Sequence, residues 1–171
     1  MTSKLKQLPG TPLHGKDFEE GKILFNHDEL HGDFAWDTGI AIGQYLGALK
    51  EGYILGARCQ ICRKVVVPPR IVCEWCFRPM DEFVPLKDTG VVNTFSLCYV
   101  TWDMQRLQEP LIPAVIEIDG ASPKHGILHL LGEVDPKNVH IGMRVQAIWR
   151  QPEECRGAIT DILYFRPIEE V

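Results

Sequence analysis

The sequence predicts a mainly β protein with an N-terminal helix, a small metal-stabilised β unit and a five-stranded barrel. Three observations support this prediction. A helical segment comes first, two C-x-x-C pairs follow it, and a series of short β-type runs fills the second half of the 171 residues. We expect the boundaries to fall between an N-terminal tail and helix, 1–52, the metal unit, 53–82, and the barrel domain, 83–171.

The helix is predicted over WDTGIAIGQYLGALKEG. Asp37 or Thr38 can cap its start and Gly52 can end it. Its apolar face contains residues at three- and four-residue spacing, namely Ile42, Tyr45, Leu46 and Leu49. Glycine also recurs every fourth residue, at Gly39, Gly43 and Gly47. Each glycine costs a helix about 1 kcal/mol relative to alanine. The stripe therefore predicts a close contact, either with the rest of the chain or with a docking partner or ligand.

Four cysteines form the two C-x-x-C pairs, Cys59 with Cys62 and Cys73 with Cys76. Two such turns can direct four sulfurs at one ion, and this spacing is typical of a rubredoxin-like zinc ribbon. Four thiolates leave no open position on the metal, which disfavours hydrolytic zinc. We predict one structural Zn²⁺, with rubredoxin-type iron as the alternative because sulfur-only tetrahedral sites fit either metal.

Two residues depart from the usual pattern of such turns. Glycine often follows the second cysteine of each pair, whereas Arg63 and Phe77 occupy those positions here. We expect a local change in the turn conformation. A unit of this size cannot bury a sufficient core of its own, so the metal is expected to hold it together.

The third segment has only β-strand signals. Its runs are VVNTFSLCYV, IPAVIEID, GILHLLGEV, MRVQAIW and AITDILYF, each bounded by Gly, Pro, Asp or Asn. In MRVQAIW the residues expected to face inward are Met143, Val145, Ala147 and Trp149. The connections are too short for crossover helices, which predicts a small antiparallel barrel of the OB type. Any helix between the third and fourth strands must fit into DPKNVHIG and can have at most one turn.

Charge and composition exclude several functions. The net charge is −5, and the only basic island, with five basic and three acidic residues, lies at 55–82. A general nucleic-acid binder needs a wider basic field. No apolar run approaches the roughly 18 residues of a membrane helix, and the N-terminus lacks the apolar core of a signal peptide. A cytoplasmic location is expected, where paired cysteines bind metal more often than they form disulfides.

The sequence contains no recognisable catalytic centre. It has no G-x-S-x-G elbow, phosphate-binding loop or dinucleotide fingerprint. His125 and His129 could act as bases, but no nucleophile can be assigned to them. We predict no catalytic residue and no enzymatic activity.

The order of motifs resembles the microbial zinc-ribbon/OB-fold family known as a domain of unknown function and associated with acyl-CoA enzymes. The resemblance covers roughly residues 37–167. It rests on the glycine-bearing helix, C-x-x-C, V-P-P-R, the second C-x-x-C, D-x-G-x-V and I-G-M-x-V. It implies a non-catalytic accessory protein that binds a thiolase or thiolase-like enzyme, with zinc in a structural role. It further implies a part in holding or channelling acyl-CoA.

Candidate binding residues follow from this interpretation. Arg63, Lys64 and Arg70 could contact the phosphates of CoA, and the glycine stripe could dock the partner. The alternative is a zinc-ribbon/OB module for single-stranded nucleic acid, which would stack bases on exposed aromatic side chains. The candidate side chains are Phe95, Tyr99, Trp102, Trp149, Tyr164 and Phe165.

Overall fold

The structure is a computed structural model that describes residues 14–23, 26, 28–29 and 31–168. The chain divides into two units, 1–36 and 37–171. The described residues of the first unit include one short helix, α1, Gly15–Glu19. Within the described part of the chain, no helix is long and apolar enough to cross a membrane.

The second unit contains one helix and ten strands. The helix is α2, Gly39–Lys50. The strands are β1 Ile54–Arg58, β2 Val65–Val66, β3 Glu82–Leu86, β4 Thr89–Phe95, β5 Cys98–Val100, β6 Arg106–Leu111, β7 Pro113–Ile118, β8 Gly126–Leu130, β9 Arg144–Trp149 and β10 Ile162–Pro167. The predicted fold class is confirmed: helix α2 precedes a small ribbon and a five-stranded barrel in a mainly β chain.

The helix α2 forms where the sequence predicted it. The Asp37 carboxylate accepts a hydrogen bond from the Gly39 N–H at 3.0 Å, whereas the Thr38 side chain makes no such bond. After the helix, Gly52 takes φ +83°, a left-handed conformation that suits glycine. The buried face consists of Ala41, Tyr45, Ala48 and Leu49. The prediction of the apolar face was partly wrong, because Ile42 is 37% exposed.

The ribbon is built on a three-stranded antiparallel sheet in the order β2-β1-β3. The central strand β1 is buried along most of its length and packs against α2. Ile54 and Leu55 of β1 share one core cluster with Tyr45 and Leu49 of the helix. Helix, ribbon sheet and barrel therefore share buried apolar surface.

The barrel is a ring of five strands in the order β10-β9-β4-β7-β8. A parallel bridge between Leu131 and Phe165 joins the β8 end of this order to β10. Such a partly open five-stranded barrel is the OB architecture. The predicted alternation in β9 is confirmed, because Met143, Val145 and Ala147 are buried and Trp149 packs against the core.

The connection after β4 differs from the prediction. The run VVNTFSLCYV is not one strand but divides into β4 and β5, with Ser96 and Leu97 between them. Strand β5 pairs with β6 in a separate two-stranded hairpin that the sequence analysis missed. The Thr101 hydroxyl organises the turn, accepting a hydrogen bond from the Gln105 N–H at 3.0 Å. Neither glycine nor proline marks this turn, so the sequence contains no local signal for the hairpin.

Two loops between barrel strands are held by carboxylates. The predicted single turn before β9 is a 3-10 helix at Pro136–Asn138, whose start is capped by Asp135. Between β9 and β10, the buried Asp161 carboxylate accepts hydrogen bonds from the backbone N–H groups of Arg156, Gly157 and Ala158, at 3.0, 2.7 and 2.9 Å.

Candidate metal centre

The four predicted cysteine ligands lie together at one end of the ribbon. Their Sγ atoms are all within 4.8 Å of one another. The distance is 3.4 Å between the sulfurs of Cys59 and Cys76 and 3.5 Å between those of Cys62 and Cys73. A tetrahedral site with Zn–S bonds of about 2.3 Å places its sulfurs about 3.8 Å apart. The cluster therefore has the dimensions needed to hold one such ion.

The two C-x-x-C turns have the same backbone hydrogen bonds. In the first, the Arg63 N–H donates to the Cys59 carbonyl at 2.9 Å. In the second, the Phe77 N–H donates to the Cys73 carbonyl at 2.9 Å. Both donor residues are left-handed, with φ of 60° and 53°. The expected change in turn conformation does not occur, because both residues adopt the conformation that glycine favours.

Backbone N–H groups also polarise two of the sulfurs. Those of Cys62 and Ile61 lower the pKa of Cys59 to about 6. In the second turn, the N–H groups of Cys76 and Trp75 lower the pKa of Cys73. Hydrogen bonds to a sulfur stabilise its thiolate form, which is the form that binds metal. Hydrogen bonds with the neighbouring thiols, together with burial, raise the pKa of Cys76 to about 12 and also raise that of Cys62. The backbone therefore favours the thiolate form at two of the four sulfurs.

The candidate centre consists of sulfur alone. Over the described residues, the cluster of possible metal ligands contains these four cysteines and no histidine or carboxylate. Cys59 and Cys73 are fully buried, and the other two are half-buried. Four protein ligands close a tetrahedron, so an ion bound here would have no position for substrate or water. Such an arrangement can hold the ribbon together.

The three basic residues predicted to bind a ligand lie in different environments. Arg70 forms an ion pair with Glu74, and the Lys64 Nζ lies 3.7 Å from the centre of the Trp75 ring. The Arg63 side chain makes no hydrogen bond or ion pair with any residue that the structure describes. Glu74 and Trp75, which sequence reasoning missed, partly neutralise or cover the basic island.

The glycine stripe faces outward. A Cβ atom added to Gly47 would meet nothing within 4 Å, and one added to Gly43 would meet only the Thr38 hydroxyl, at 3.3 Å. Gly39 has φ +70°, so its own backbone conformation accounts for glycine there. The stripe makes no close internal packing contact with the described residues.

The two candidate histidines have structural contacts. His125 lies with Nε2 3.5 Å from Glu74. Burial, together with the charges of Arg70 and Lys64, lowers the pKa of His125. His129 Nε2 lies 3.2 Å from the Ile159 carbonyl oxygen, and its ring packs edge-on against Phe165.

The remaining cysteines lie outside the cluster. Cys98 is half-buried on β5 rather than in the core. Cys155 is buried, and this burial, together with the nearby Asp161, raises the pKa of its thiol.

Two of the candidate aromatic side chains are exposed on a hairpin with little positive charge. Trp102 is 96% exposed and Tyr99 is 49% exposed, and both belong to the β5–β6 hairpin. That hairpin carries Asp103 and Glu109 against the single Arg106. A stacking platform for nucleic acid needs positive charge beside the rings. The two acidic side chains outnumber Arg106, so the hairpin does not provide a positively charged surface.

Comparisons with known proteins agree with this architecture. A family model described as ChsH2, rubredoxin-like zinc ribbon domain, matches residues 47–81, and one described as ChsH2, C-terminal OB-fold domain, matches residues 83–150. A DUF35 domain-containing scaffold protein of Methanocaldococcus jannaschii is 34% identical over 125 residues, which cover 71% of this chain and 86% of the relative. The chain belongs to the DUF35 family.

Other DUF35 proteins extend the comparison. A DUF35 domain-containing scaffold protein of Methanothermobacter thermautotrophicus is 26% identical over 103 residues, covering 59% of this chain and 74% of the relative. A crystal structure of a DUF35 protein of unknown function from Sulfolobus solfataricus has a TM-score of 0.57 and 28% identity, covering 65% of this chain and 79% of that one.

A second solved structure shares the fold. It is described as Ltp2-ChsH2(DUF35) aldolase and matches with a TM-score of 0.57 over 79% of this chain and 98% of that chain. The sequence identity is 21%, so this similarity concerns the fold alone. Both of the curated relatives given above are named scaffold proteins.

Proposed function

We propose that this DUF35 protein is a non-catalytic, cytoplasmic accessory subunit of a thiolase or thiolase-like acyl-CoA enzyme. The observation that carries the proposal is the all-sulfur cluster with no position for a substrate, in a family whose curated members are named scaffold proteins. The solved relative named as an Ltp2-ChsH2(DUF35) aldolase suggests an enzyme as the partner.

Within this proposal, Cys59, Cys62, Cys73 and Cys76 bind one structural Zn²⁺. The sulfur spacing and the N–H groups that lower the pKa of Cys59 and Cys73 support this assignment. When bound, the ion would link the two turns and supply no reactive position. The ribbon would then present a fixed surface to the partner.

The partner would contact the glycine stripe on α2. Gly43 and Gly47 leave a shallow strip along an otherwise ordinary helix, and no described residue fills it. A second backbone can approach such a strip closely, which would offset the helix stability lost to glycine.

Acyl-CoA would lie near the basic residues of the ribbon. Arg63 offers a guanidinium with no described side-chain partner. Lys64 lies over the Trp75 ring, and Arg70 pairs with Glu74. Because Arg70 already pairs with Glu74, we expect Arg63 to contribute most to binding a CoA phosphate.

Co-expression with a thiolase from the same genome tests the proposal. The expected result is one complex on size-exclusion chromatography with light scattering, and no thioester hydrolysis or thiolysis by the DUF35 chain alone. Separate elution of the two proteins at micromolar concentration would overturn the proposal. So would salt-sensitive binding of a single-stranded oligonucleotide in place of the enzyme.

The glycine stripe can be tested separately. Gly47→Ala adds a methyl group in open space and should stabilise isolated α2 by about 1 kcal/mol. At a docking contact the same methyl group should weaken enzyme binding at least tenfold. Gln44→Ala, an exposed change on the same helix, is the matched control and should leave binding unchanged. An equal change in enzyme affinity in the two variants would show that the glycine stripe is not part of the interface.

A further inference from the structure

A groove of about 380 Å³ lies on the outside of the barrel, between β8, the start of β10 and the loop before β10. Its walls include Leu128 and Leu130 of β8, Ile159 of the loop and Leu163 of β10. The buried Ile162 also contributes to its lining. Counted within the barrel, β8 is the third strand, and the loop before β10 joins the fourth and fifth strands. OB barrels commonly use both of these features to bind ligands.

The apolar character of this outer face is unusual. Strand β8 directs Ile127 into the core, and the alternate positions Leu128 and Leu130 are 67% and 38% exposed. Ile159 and Leu163, across the groove, are 39% and 38% exposed. An outward strand face in contact with water is normally polar. Four large aliphatic side chains converging on one groove indicate a surface that is covered in use.

The polar groups of the groove lie at its edge. The Arg150 Nε donates a hydrogen bond to the Thr160 carbonyl at 2.8 Å. Over the described residues, no carboxylate lies within 4.0 Å of the Arg150 guanidinium, the limit for an ion pair. Three acidic side chains, Glu153, Glu154 and Asp161, line the adjoining cavity together with Arg150 and Arg156. The edge therefore offers hydrogen-bond donors in surroundings of nearly balanced charge.

These features select one class of ligand. Bases of nucleic acid would need an aromatic platform, and the groove contains no aromatic ring other than that of His129. A phosphate group would meet the nearby glutamates. An unbranched apolar chain fits the aliphatic walls, and a neutral carbonyl at its end can accept a hydrogen bond from Arg150.

We propose that this groove binds the acyl chain of an acyl thioester, with the thioester carbonyl near Arg150. The proposal deepens the function proposed above and rests on it for the acyl-CoA context. The occupied groove would be a second ligand-binding region beside the ribbon residues already considered. Its aliphatic walls would bury the chain, and Arg150 would orient the carbonyl end.

Calorimetric titration of the isolated, metal-replete protein tests the inference. The probes are the hexanoyl and decanoyl thioesters of N-acetylcysteamine, with free decanoate as the comparison. Burial of the four additional methylene groups should make the decanoyl thioester bind at least tenfold more tightly than the hexanoyl one. The neutral thioester should bind at least as tightly as decanoate, because the nearby Glu153 and Glu154 repel the carboxylate of decanoate.

Two variants and a matched control locate the site. Leu128→Asp should weaken binding of the decanoyl thioester at least tenfold. Arg150→Met should weaken it by about two- to fivefold while keeping the chain-length dependence. Ile141→Asp is the control, because Ile141 is also 67% exposed but lies outside the groove. Thermal unfolding establishes that each variant is folded. If Leu128→Asp does not fold, Leu128→Ala is tested in its place.

Three outcomes would overturn the inference. One is equal affinity for the hexanoyl and decanoyl probes, and another is an equal loss of binding in the Leu128 and Ile141 variants. The third is no binding of any acyl probe. Enzyme binding is measured separately, so a thiolase that still co-purifies would leave the accessory function standing while this groove is rejected. Tighter binding of decanoate than of the thioester would identify a free fatty acid as the ligand instead.

Discussion

Ser122 of the barrel exchanges two hydrogen bonds with Val65 of the ribbon. The Val65 N–H donates to Ser122 Oγ at 2.9 Å, and the Ser122 N–H donates to the Val65 carbonyl at 2.8 Å. Ser122 lies in the turn between β7 and β8, and Val65 begins the short strand β2. The ribbon is thus joined to the barrel by a side chain as well as by the chain itself. A disturbance at the candidate metal centre is expected to reach the barrel through this contact.

Removing the Ser122 hydroxyl should weaken the protein measurably. Ser122→Ala leaves the part-buried Val65 N–H without its acceptor, which should lower the free energy of unfolding by about 1–2 kcal/mol. Urea denaturation followed by circular dichroism measures the change. Ser96→Ala, which removes a hydroxyl from an exposed position, should change stability by less than about 0.5 kcal/mol. Equal stability of the two variants would contradict the joining role of Ser122.

Loss of one sulfur ligand should abolish metal binding. Cys73→Ser removes a fully buried ligand, and we expect less than half an equivalent of zinc by elemental analysis. We also expect slow amide exchange in β1 and β2 to disappear, because the metal replaces the missing core of the ribbon. Cys98→Ser should retain one equivalent, since Cys98 lies on β5 outside the cluster. A zinc-free variant with wild-type exchange protection would show that the ribbon does not depend on the ion.

The sequence predicted those parts of the fold whose signals are local and regular. Alternation predicted the buried face of β9, and the cysteine spacing predicted a cluster that the structure places within 4.8 Å. The buried face of α2 was predicted less well, because it includes Ala41 and Ala48 as well as large residues. Small residues do not stand out in a search for apolar periodicity, so Ile42 was wrongly placed on the buried face.

Features that depend on distant residues were not predictable. The β5–β6 hairpin has neither a buried strand residue nor a glycine turn, so no periodic signal marks it. The outer groove joins residues of β8 with residues about 30 positions later, and each leucine by itself resembles an ordinary core residue. Glu74 lies beside a predicted ligand-binding arginine, but only the structure places its carboxylate against Arg70.

The left-handed turn residues offer a way to stabilise the ribbon. Phe77 has φ 53° and is 80% exposed, so its side chain loses little packing when it is removed. A left-handed conformation costs a residue with a side chain about 1–2 kcal/mol, and replacement by glycine removes this cost. The greater freedom of glycine in the unfolded chain offsets part of that stabilisation. Phe77→Gly should therefore raise the free energy of unfolding by about 0.5–1 kcal/mol. Ile61→Gly, in the other turn but at a residue without positive φ, should lower the free energy of unfolding. A change of the same sign in both variants would show that the left-handed conformation of Phe77 is not costly.

Asp161 is expected to control the loop that borders the groove. Its carboxylate is 1% exposed and accepts three backbone hydrogen bonds. Asp161→Asn replaces one acceptor oxygen with an NH₂ group that faces N–H donors. The substitution should lower the free energy of unfolding by about 2–4 kcal/mol. Thermal unfolding measures the loss. Glu153→Gln, an exposed change in the same loop, should have little effect, and an equally small effect of Asp161→Asn would show that the loop does not need the carboxylate.

Stability in acid should depend on the pair formed by Asp119 and Arg144. Two hydrogen bonds from Arg144, at 2.9 and 2.6 Å, are the main cause that lowers the pKa of Asp119 from 3.8 to about 2. A lowered pKa in the folded state stabilises the protein above the unfolded value, and this contribution is lost as the pH falls from about 4 to about 2. Because the two side chains are 26% and 27% exposed, solvent screening limits the contribution to about 1–2 kcal/mol.

Urea denaturation of the wild type and Asp119→Asn between pH 2 and 7 measures this contribution. The stability difference between the two proteins should be constant above pH 5 and should shrink as the pH approaches 2. Arg144→Met should remove the same pH dependence, because it removes the group that lowers the pKa. In the double variant the two losses should not add, since both act on one interaction. A stability difference that stays constant down to pH 2 would show that Arg144 does not favour the ionised form of Asp119.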